Sequence, residues 1–170
     1  WTQFTSSAGG ITSGANTCIK KGFRHYVVTL ADGVAVDVLI THMNTYSSSG
    51  TDHINAQHAQ LKQIAQYINS ISANNRPIIL MGDTNCRYTR EHLETGFIDY
   101  INADSRFTIK DAWIEHMWGG TYPVYGSEAM MTHTYGDQKG EVVDKIFYIN
   151  TTESNLVLAS NSYLHDTSLT

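Results

Sequence analysis

The chain has 170 residues, a formal net charge of −5 and two cysteines. This length predicts a single domain whose core is large enough to be stable without a disulfide bond. The net negative charge disfavours sequence-independent binding to nucleic acid, which requires clustered lysine and arginine. Cys18 and Cys86 are too few for a thiolate metal site, and the sequence leaves open whether they form a disulfide or stay as free thiols. The sequence holds no apolar run long enough to cross a membrane.

The N-terminal part predicts a loop followed by a β-hairpin. Residues 1–17 are rich in Ser, Thr and Gly, a composition typical of loops. Two β-branched runs, RHYVVTL and GVAVDVLITH, meet at Asp32 and Gly33, which together are a strong hairpin signal. The second run is almost continuously apolar, so we expect it to be a central strand that is buried on both faces.

The remainder of the chain mixes helices and strands without a strict βαβ alternation. Apolar residues three and four apart predict a helix over residues 53–73, with Asp52 as its N-cap. The further predicted elements, in chain order, are a strand at 77–83, helices at 90–104 and 109–117, a long loop at 118–136 that includes a short strand at 132–135, and strands at 141–149 and 155–164. This order indicates an α+β fold in which helices cover packed sheets.

Three predicted strands carry polar residues where their apolar runs end or break. One ends in THMN, with His42, the next ends in GDTN, with Asp83 and Asn85, and a later one reads VVDKIFYI, with Asp144 among apolar residues. A charge in such a place is costly unless it is paired or bound to a metal. Asp and Asn supply the hard oxygen ligands that Mg²⁺ or Mn²⁺ prefers, and a nearby histidine fits metal-assisted hydrolysis of a phosphate ester.

Each of these residues also has an ordinary structural interpretation. His42 alone fits a hydrogen-bonded histidine at a sheet edge. Asp83 and Asn85 belong to the residue types that form turns and cap helices. Asp144 fits an ion pair with a neighbouring cation. Only the combination, three polar sites on three strands, favours a catalytic interpretation.

The motifs THMN, GDTN and VVDKIFY, in this order, resemble those of the endonuclease/exonuclease/phosphatase superfamily, which includes pancreatic deoxyribonuclease, neutral sphingomyelinases and inositol polyphosphate phosphatases. The phrases KGFRHYVVTL, GDTNCRYTR, KDAWIEHMWGG and EVVDKIFYI are similar to its secreted, sphingomyelinase-like or uncharacterised hydrolase branch. The similarity runs from about Lys21 to Leu164. It implies a four-layer α/β/β/α sandwich, with two packed, mostly antiparallel sheets and helices outside, and hydrolysis of a phosphate ester with Mg²⁺ or Mn²⁺.

The resemblance implies a role for each residue that matches a family motif. His42 corresponds to the histidine that hydrogen-bonds the scissile phosphate or acts as an acid, and Asp144 to the carboxylate that orients this histidine. Asp83 corresponds to the aspartate beside the metal and the attacking water. Asn85 corresponds to the amide that binds a phosphate oxygen as negative charge builds, which an uncharged donor does without repelling an anion.

Two further residues, Asn44 and Arg87, are predicted to bind substrate. Asn44 follows His42 closely in the same strand-end segment. Arg87 carries a charge that attracts an anion, and a plain surface role for it is equally open.

Other parts of the family's site have no counterpart in the sequence. The family's metal-binding glutamate lies upstream of the matched region, and its Ser-Asp-His motif lies downstream. We therefore expect residues 1–170 to be a single partial domain, cut at both ends and poorly active alone, with the metal ligands other than Asp83 outside this chain.

The predicted substrate is a lipid or small phosphodiester, because the chain is acidic and lacks a basic stripe. A metal-dependent nuclease and a non-catalytic binding fragment of the same fold are the alternatives. The resemblance also implies a secreted or periplasmic protein, and the oligomeric state is not indicated.

Overall fold

A computed structural model of the chain describes residues 1–7, 19–31, 33–45, 52–89, 93–127, 133–135, 138–140 and 142–157. The strands are β1 (Thr2–Gln3), β2 (Gly22–Ala31), β3 (Val34–His42), β4 (Ile78–Asp83), β5 (Phe107–Asp111), β6 (His133–Tyr135), β7 (Gln138–Gly140) and β8 (Asp144–Thr151). The α-helices are α1 (Asp52–Ile71), α2 (Asp99–Asn102) and α3 (Ala112–Trp118). A 3₁₀ turn (Ser72–Asn74) follows α1, and a π-helical turn (Glu94–Ile98) leads into α2.

The described strands form one large sheet and one small one. Six strands pair in the order β1-β2-β3-β4-β8-β5, and β6 pairs with β7. The β3–β4 pair is parallel, and the other four pairs of the large sheet are antiparallel. The predicted mixed α and β fold is confirmed, and the chain has the architecture of an incomplete α/β sandwich.

The predicted hairpin is confirmed. β2 and β3 pair antiparallel from Ala31↔Val34 to Gly22↔His42, with an irregularity between Thr29 and Ala31. Gly33 lies in the turn with a φ of 75°, a conformation that glycine adopts without strain. β3 lies between β2 and β4, as predicted, and its residues from Val36 to Leu39 are buried. The predicted burial on both faces does not extend to the end of the strand, because Ile40 is 43% exposed.

The core lies between α1 and one face of the large sheet, which we call the inner face. The apolar stripe of α1 supplies Leu61, Ile64 and Ile68, none of which is exposed. They belong to the same buried cluster as Leu39 of β3 and Leu80 of β4. Packing of this stripe accounts for the stability of a helix that is otherwise polar.

The opposite, outer face of the sheet remains largely open in the described part of the chain. Its side chains follow from the strand register, which places Tyr26, Ile40 and Ile146 on this face. These three side chains are exposed by 43%, 43% and 53%. In a four-layer sandwich a second sheet packs on such a face. The described residues thus provide one helix layer and one main sheet of that architecture.

The end of the sheet at the start of β3 and β4 is held by a buried ion-pair network. Asp37 is 1% exposed, and its carboxylate accepts hydrogen bonds from Nε and Nη2 of Arg76 at 3.0 and 2.9 Å. Its Oδ1 also lies 2.7 Å from Nε2 of His25. A buried carboxylate with this many partners is a satisfied structural charge.

Two helix predictions need correction at their boundaries. The predicted helix at 109–117 begins only at Ala112, because Phe107, Ile109 and Asp111 alternate inward in strand β5. The Asp111 carboxylate then caps α3 by accepting from the backbone N–H groups of Trp113 and Ile114. Of the predicted helix at 90–104, the described part is helical from residue 93 to Asn102 and includes the π-helical turn.

The remaining strand and loop predictions agree with the structure in part. The helix at 53–73 and the strands at 77–83, 132–135 and 141–149 are confirmed as α1, β4, β6 and β8, with small shifts at their ends. The predicted N-terminal loop contains the short strand β1, which pairs with β2. The predicted strand at 155–164 is not formed at 155–157, and its remainder lies outside the described residues, as do Cys18 and the Asp52 side chain.

Gly82 of β4 allows the close approach of β3, and a substitution there tests this packing. Its φ is +130°, and an added Cβ would lie 2.1 Å from the Thr41 carbonyl oxygen. We expect Gly82→Ala to lower the free energy of unfolding by about 3 kcal/mol or more, because neighbouring backbone would have to move. The measurement is urea unfolding followed by circular dichroism.

Gly33→Ala is the matched control, since Gly33 also has a positive φ but has open space around its Cβ position. We expect it to cost only about 1 kcal/mol, the usual penalty for a left-handed backbone. Equal losses of unfolding free energy in the two variants would show that the close contact with Thr41 is not the reason for glycine at position 82.

Candidate functional site

Three of the four predicted catalytic residues lie side by side at one edge of the large sheet. His42 ends β3, Asp83 ends β4 and Asp144 begins β8. In the sheet register His42 is paired with Asp83, and Asp83 with Asp144. Directly paired residues of neighbouring strands project from the same face, so all three side chains lie on the outer face. We call His42, Asp83 and Asp144 the strand-end row.

The strand-end row is held in place because the backbone ladder continues past the strand ends. The Met43 N–H donates to the Asp83 carbonyl at 2.9 Å, and the Thr84 N–H donates to the Val143 carbonyl at 3.1 Å. The Thr84 hydroxyl donates to the same Val143 carbonyl at 2.8 Å. The row therefore sits on ordered backbone, which is what a preorganised site requires.

The two oxygens of the Asp83 carboxylate have different partners. Oδ1 accepts from the backbone N–H of Asn85 at 2.8 Å, and Oδ2 lies 3.4 Å from Nε2 of His42. The side chains of His42 and Asp83 are 54% and 35% exposed. The imidazole and the carboxylate are thus fixed relative to each other and open to an incoming molecule.

Asn85, the fourth predicted residue, follows the strand-end row in the loop after β4. It has a φ of 52°, a left-handed conformation that asparagine tolerates better than most residues. Its Nδ2 donates to the Met43 carbonyl at 3.0 Å. An amide nitrogen carries two hydrogens, so one N–H is used to tie the loops after β3 and β4 together and the second can donate to a ligand.

Asn44 is brought to the same edge, but its side chain is completely buried. Its Oδ1 accepts from Nε2 of Gln60 at 2.6 Å, and its backbone N–H donates to Oε1 of the same side chain at 3.0 Å. These contacts link the segment after β3 to helix α1. Asn44 thus holds the segment after β3 against α1, and its predicted contact with substrate stays a prediction.

Gln57 of α1 joins the two loops that follow β3 and β4. Its Nε2 donates to the Asn44 carbonyl at 2.8 Å and to the Asn85 carbonyl at 3.0 Å. The Gln57 side chain is completely buried. Sequence reasoning missed this residue and Gln60, although two glutamines three apart beside the apolar stripe of a predicted helix were a usable signal.

Asp144 is exposed, and its side chain makes no hydrogen bond or ion pair with any residue that the structure describes. The resemblance implies that Asp144 orients His42, but the carboxylate within ion-pair distance of His42 is that of Asp83. Two carboxylates directly opposite each other on neighbouring strands repel unless a cation lies between them. The pairing of Asp83 with Asp144 therefore places two carboxylates where a cation would reduce their repulsion.

Arg87 lies half-buried in the loop beyond Asn85. Its predicted contact with an anionic substrate stays a prediction.

The carboxylates of Asp83 and Asp144 have the oxygen chemistry that Mg²⁺ or Mn²⁺ prefers. Within the described ranges, no three His, Cys, Asp or Glu side chains form a group that holds a metal ion by themselves. By their chemistry the two carboxylates fit a hard divalent ion as a partial ligand set, and the role of Asp83 as a metal ligand stays a prediction.

Lys21 is a second residue of this edge that sequence reasoning missed. Its Nζ lies 2.5 Å from Nε2 of His42, and the residue is 8% exposed. Burial lowers the pKa of the Lys21 ammonium, and the charge of Asp83 acts in the opposite direction. The hairpin signal at Asp32 and Gly33 predicts only that the start of β2 approaches the end of β3, because the register that brings Lys21 to His42 also depends on the irregularity between Thr29 and Ala31.

A buried charge network supports the row from the inner face. Lys145, which follows Asp144, is 1% exposed, and its Nζ lies 3.8 Å from the centre of the Tyr88 ring. The Tyr88 hydroxyl donates to Oδ2 of Asp111 at 2.9 Å. Burial raises the pKa of the Asp111 carboxyl, and the charge of Lys145 and the Tyr88 hydrogen bond act in the opposite direction. This network anchors the loop after β4 to β8 and α3.

The strand-end row lies on an open edge of the sheet. A cavity of about 450 Å³ lies elsewhere, between α1 and the segment around α2, where Asn69, Tyr100 and Phe107 line it. None of the predicted site residues lines this cavity, so their chemistry belongs to the sheet edge.

Comparison with solved structures identifies the fold. The human Nocturnin catalytic domain with bound sulfate is 17% identical, with a TM-score of 0.54 over 86% of this chain and 45% of that chain. A beta hairpin deletion mutant of beta toxin from Staphylococcus aureus is 15% identical, with a TM-score of 0.52 over 85% and 49%. D. rerio TDP2 complexed with single strand DNA product is 14% identical, with a TM-score of 0.53 over 85% and 51%.

These similarities show that the chain shares the fold of these solved structures, the deoxyribonuclease-like fold that the motifs predicted. The chain spans about half the length of the solved structures that it matches. No protein-family model and no curated protein matches the sequence. None of the helices in the described ranges is both long and apolar enough to span a membrane.

The double hydrogen bond of Gln57 generates a prediction about the stability of the site. We expect Gln57→Leu to lower the free energy of unfolding by about 2–3 kcal/mol, because two buried carbonyl groups lose their donor. The measurement is urea unfolding of the protein.

The matched control for this prediction is Gln66→Leu on the exposed side of the same helix. It should change the free energy of unfolding by no more than about 0.5 kcal/mol. A similar loss in both variants would contradict the structural role of Gln57.

Proposed function

We propose that the protein to which this chain belongs is a divalent-metal-dependent phosphoric ester hydrolase, and specifically a phosphodiesterase. The observation that carries this proposal is the strand-end row, since His42, Asp83 and Asp144 come from three separate strands and meet at one edge. Asn85 adds an amide donor at the same edge. Attack of water on a phosphate group requires fixed acid–base groups and hydrogen-bond donors. The site provides a histidine, two carboxylates and a neutral donor on rigid strand ends.

Asp83 and Asp144 would hold the metal together with ligands from outside the described residues. When bound, a divalent ion withdraws charge from a phosphate oxygen and lowers the pKa of a bound water. His42 is exposed and able to exchange a proton with the phosphate, and Asp83 stabilises the imidazolium that this exchange produces. The second N–H of Asn85 donates to an oxygen on which charge develops.

The net charge of −5 favours a lipid or small phosphodiester as the substrate, because extended nucleic acid requires a basic surface. The second candidate is a nuclease. D. rerio TDP2, which shares the fold, has been solved in complex with a single strand DNA product. A non-catalytic binding role is the third. The secreted or periplasmic location implied by the sequence resemblance stays a prediction.

An activity screen of the whole protein separates these candidates. The substrates are sphingomyelin, bis(4-nitrophenyl) phosphate, inositol phosphates and single-stranded DNA, each with Mg²⁺, with Mn²⁺ and with chelator. We expect metal-dependent hydrolysis of sphingomyelin or bis(4-nitrophenyl) phosphate. Cleavage of DNA alone would favour the nuclease, and no hydrolysis of any substrate would favour the binding fragment.

Asp144→Asn tests the second carboxylate of the row. We expect turnover of bis(4-nitrophenyl) phosphate by the whole protein to fall by about a hundredfold, because the amide removes a charge that attracts the metal. The fold should be unchanged, since Asp144 is exposed and has no partner among the described residues. Asp99→Asn, at an exposed aspartate of α2, is the matched control and should retain full turnover.

Asn85→Ala tests the amide donor. We expect about a hundredfold lower turnover of the same substrate by the whole protein, the usual cost of removing one donor from a developing oxyanion. Asn75→Ala is the matched control, because Asn75 is also a left-handed asparagine, with a φ of 54°, but its side chain bonds to Glu153 outside the row. Normal turnover in the Asn85 variant would remove this residue from the proposed site.

A further inference from the structure

We propose that Lys21 is a positioning residue that fixes the tautomer of His42 and holds its imidazole at the strand-end row. This inference rests on the proposed function, because it assigns His42 a partner for the same reaction. The contact behind the inference is observed independently of any reaction, since Nζ of Lys21 lies 2.5 Å from Nε2 of His42.

The backbone places Lys21 beside His42. Gly22, the first residue of β2, is the register partner of His42 at the end of β3. The Lys21 carbonyl accepts from the Phe4 N–H at 3.0 Å, so strand β1 fixes the backbone on the other side. With a relative exposure of 8%, Lys21 is largely shielded from water, unlike an ordinary surface lysine.

The chemistry of the two groups determines which atom carries the hydrogen. A lysine ammonium has three N–H donors and no acceptor. Nε2 of a neutral His42 must therefore accept from Lys21, and the ring hydrogen is on Nδ1. The Asp83 carboxylate, with Oδ2 at 3.4 Å from the same Nε2, balances the charge of the ammonium. Without Lys21, the carboxylate would favour the opposite tautomer, with the hydrogen on Nε2.

This arrangement has a consequence for the reaction. Because the Nε2 lone pair of His42 is engaged by Lys21, the Nδ1–H is the ring hydrogen that His42 can donate in a hydrogen bond to an oxygen of the phosphate ester. The ammonium of Lys21 also adds a positive charge near the Asp83 carboxylate, which reduces the repulsion of an approaching anion. Lys21 thus acts through His42, and it is a positioning residue because its own contact is with the imidazole.

Long-range proton–nitrogen NMR correlation of the histidine rings in the whole protein tests the tautomer directly. The spectra are recorded at a pH well above the ordinary histidine pKa of about 6.5, so that neutral rings are observed. His42 is assigned from the peak missing in His42→Gln. We expect the hydrogen on Nδ1 in the parent protein, and a shift to Nε2, or to a mixture, in Lys21→Met. Hydrogen on Nε2 in the parent protein would overturn the proposal.

Two variants keep the test decisive if burial of methionine at this position disturbs folding. Lys21→Arg retains the donors and should restore the parent tautomer, and a parent-like tautomer in folded Lys21→Met would overturn the proposal. Lys62→Met, at an exposed lysine of α1, is the matched control and should leave the His42 signals unchanged. These spectra need no substrate, so they remain informative even if the protein hydrolyses no phosphate ester.

Kinetics with bis(4-nitrophenyl) phosphate provide the second measurement. We expect Lys21→Met to lower kcat by roughly tenfold with little change in KM, the scale typical of losing the partner that orients a functional histidine. Lys21→Arg should recover most of kcat. A rise in KM alone, with kcat and the tautomer unchanged, would make Lys21 a substrate contact and overturn the positioning role.

Discussion

The backbone register of β3, β4 and β8 is the constraint on which the site depends. The parallel pairing of β3 with β4 brings two carboxyl ends to one edge, and the antiparallel return of β8 begins at the same edge. Gly82, immediately before Asp83, lets the strands approach closely enough for this register. A shift of one residue in any of these strands would send one of the three functional side chains to the opposite face.

The carboxylates at the two ends of the sheet differ in burial and in hydrogen bonding. At one end Asp37 is buried and bonded to Arg76 and His25, so its charge serves the structure. At the other end Asp83 and Asp144 are accessible to solvent and oppose each other directly. Two solvent-accessible carboxylates on neighbouring strands are costly in a fold and useful for binding a cation, which is why the second end, and not the first, carries the proposed chemistry.

The helix layer also contributes to the site at a distance. α1 buries its apolar stripe on the inner face and extends Gln57 and Gln60 to the loops that follow β3 and β4. Hydrogen bonds from α1 thereby hold these two loops beside the strand-end row. The apolar part of the outer face stays exposed in the described part of the chain. The similarity to longer proteins of the same fold agrees with this picture of one half of a sandwich.

The sequence by itself determined the hairpin, the amphipathic helix α1 and the mixed α and β class, because these follow from local periodicity and turn chemistry. It also singled out His42, Asp83, Asn85 and Asp144, because polar residues interrupt apolar runs there. Only the tertiary structure decided that Asp83 lies nearest to His42, that Asn44 is buried, and that Lys21 and Gln57 belong to the same edge. Such contacts join residues far apart in the chain, and their geometry depends on strand pairing and helix packing, which no local pattern contains.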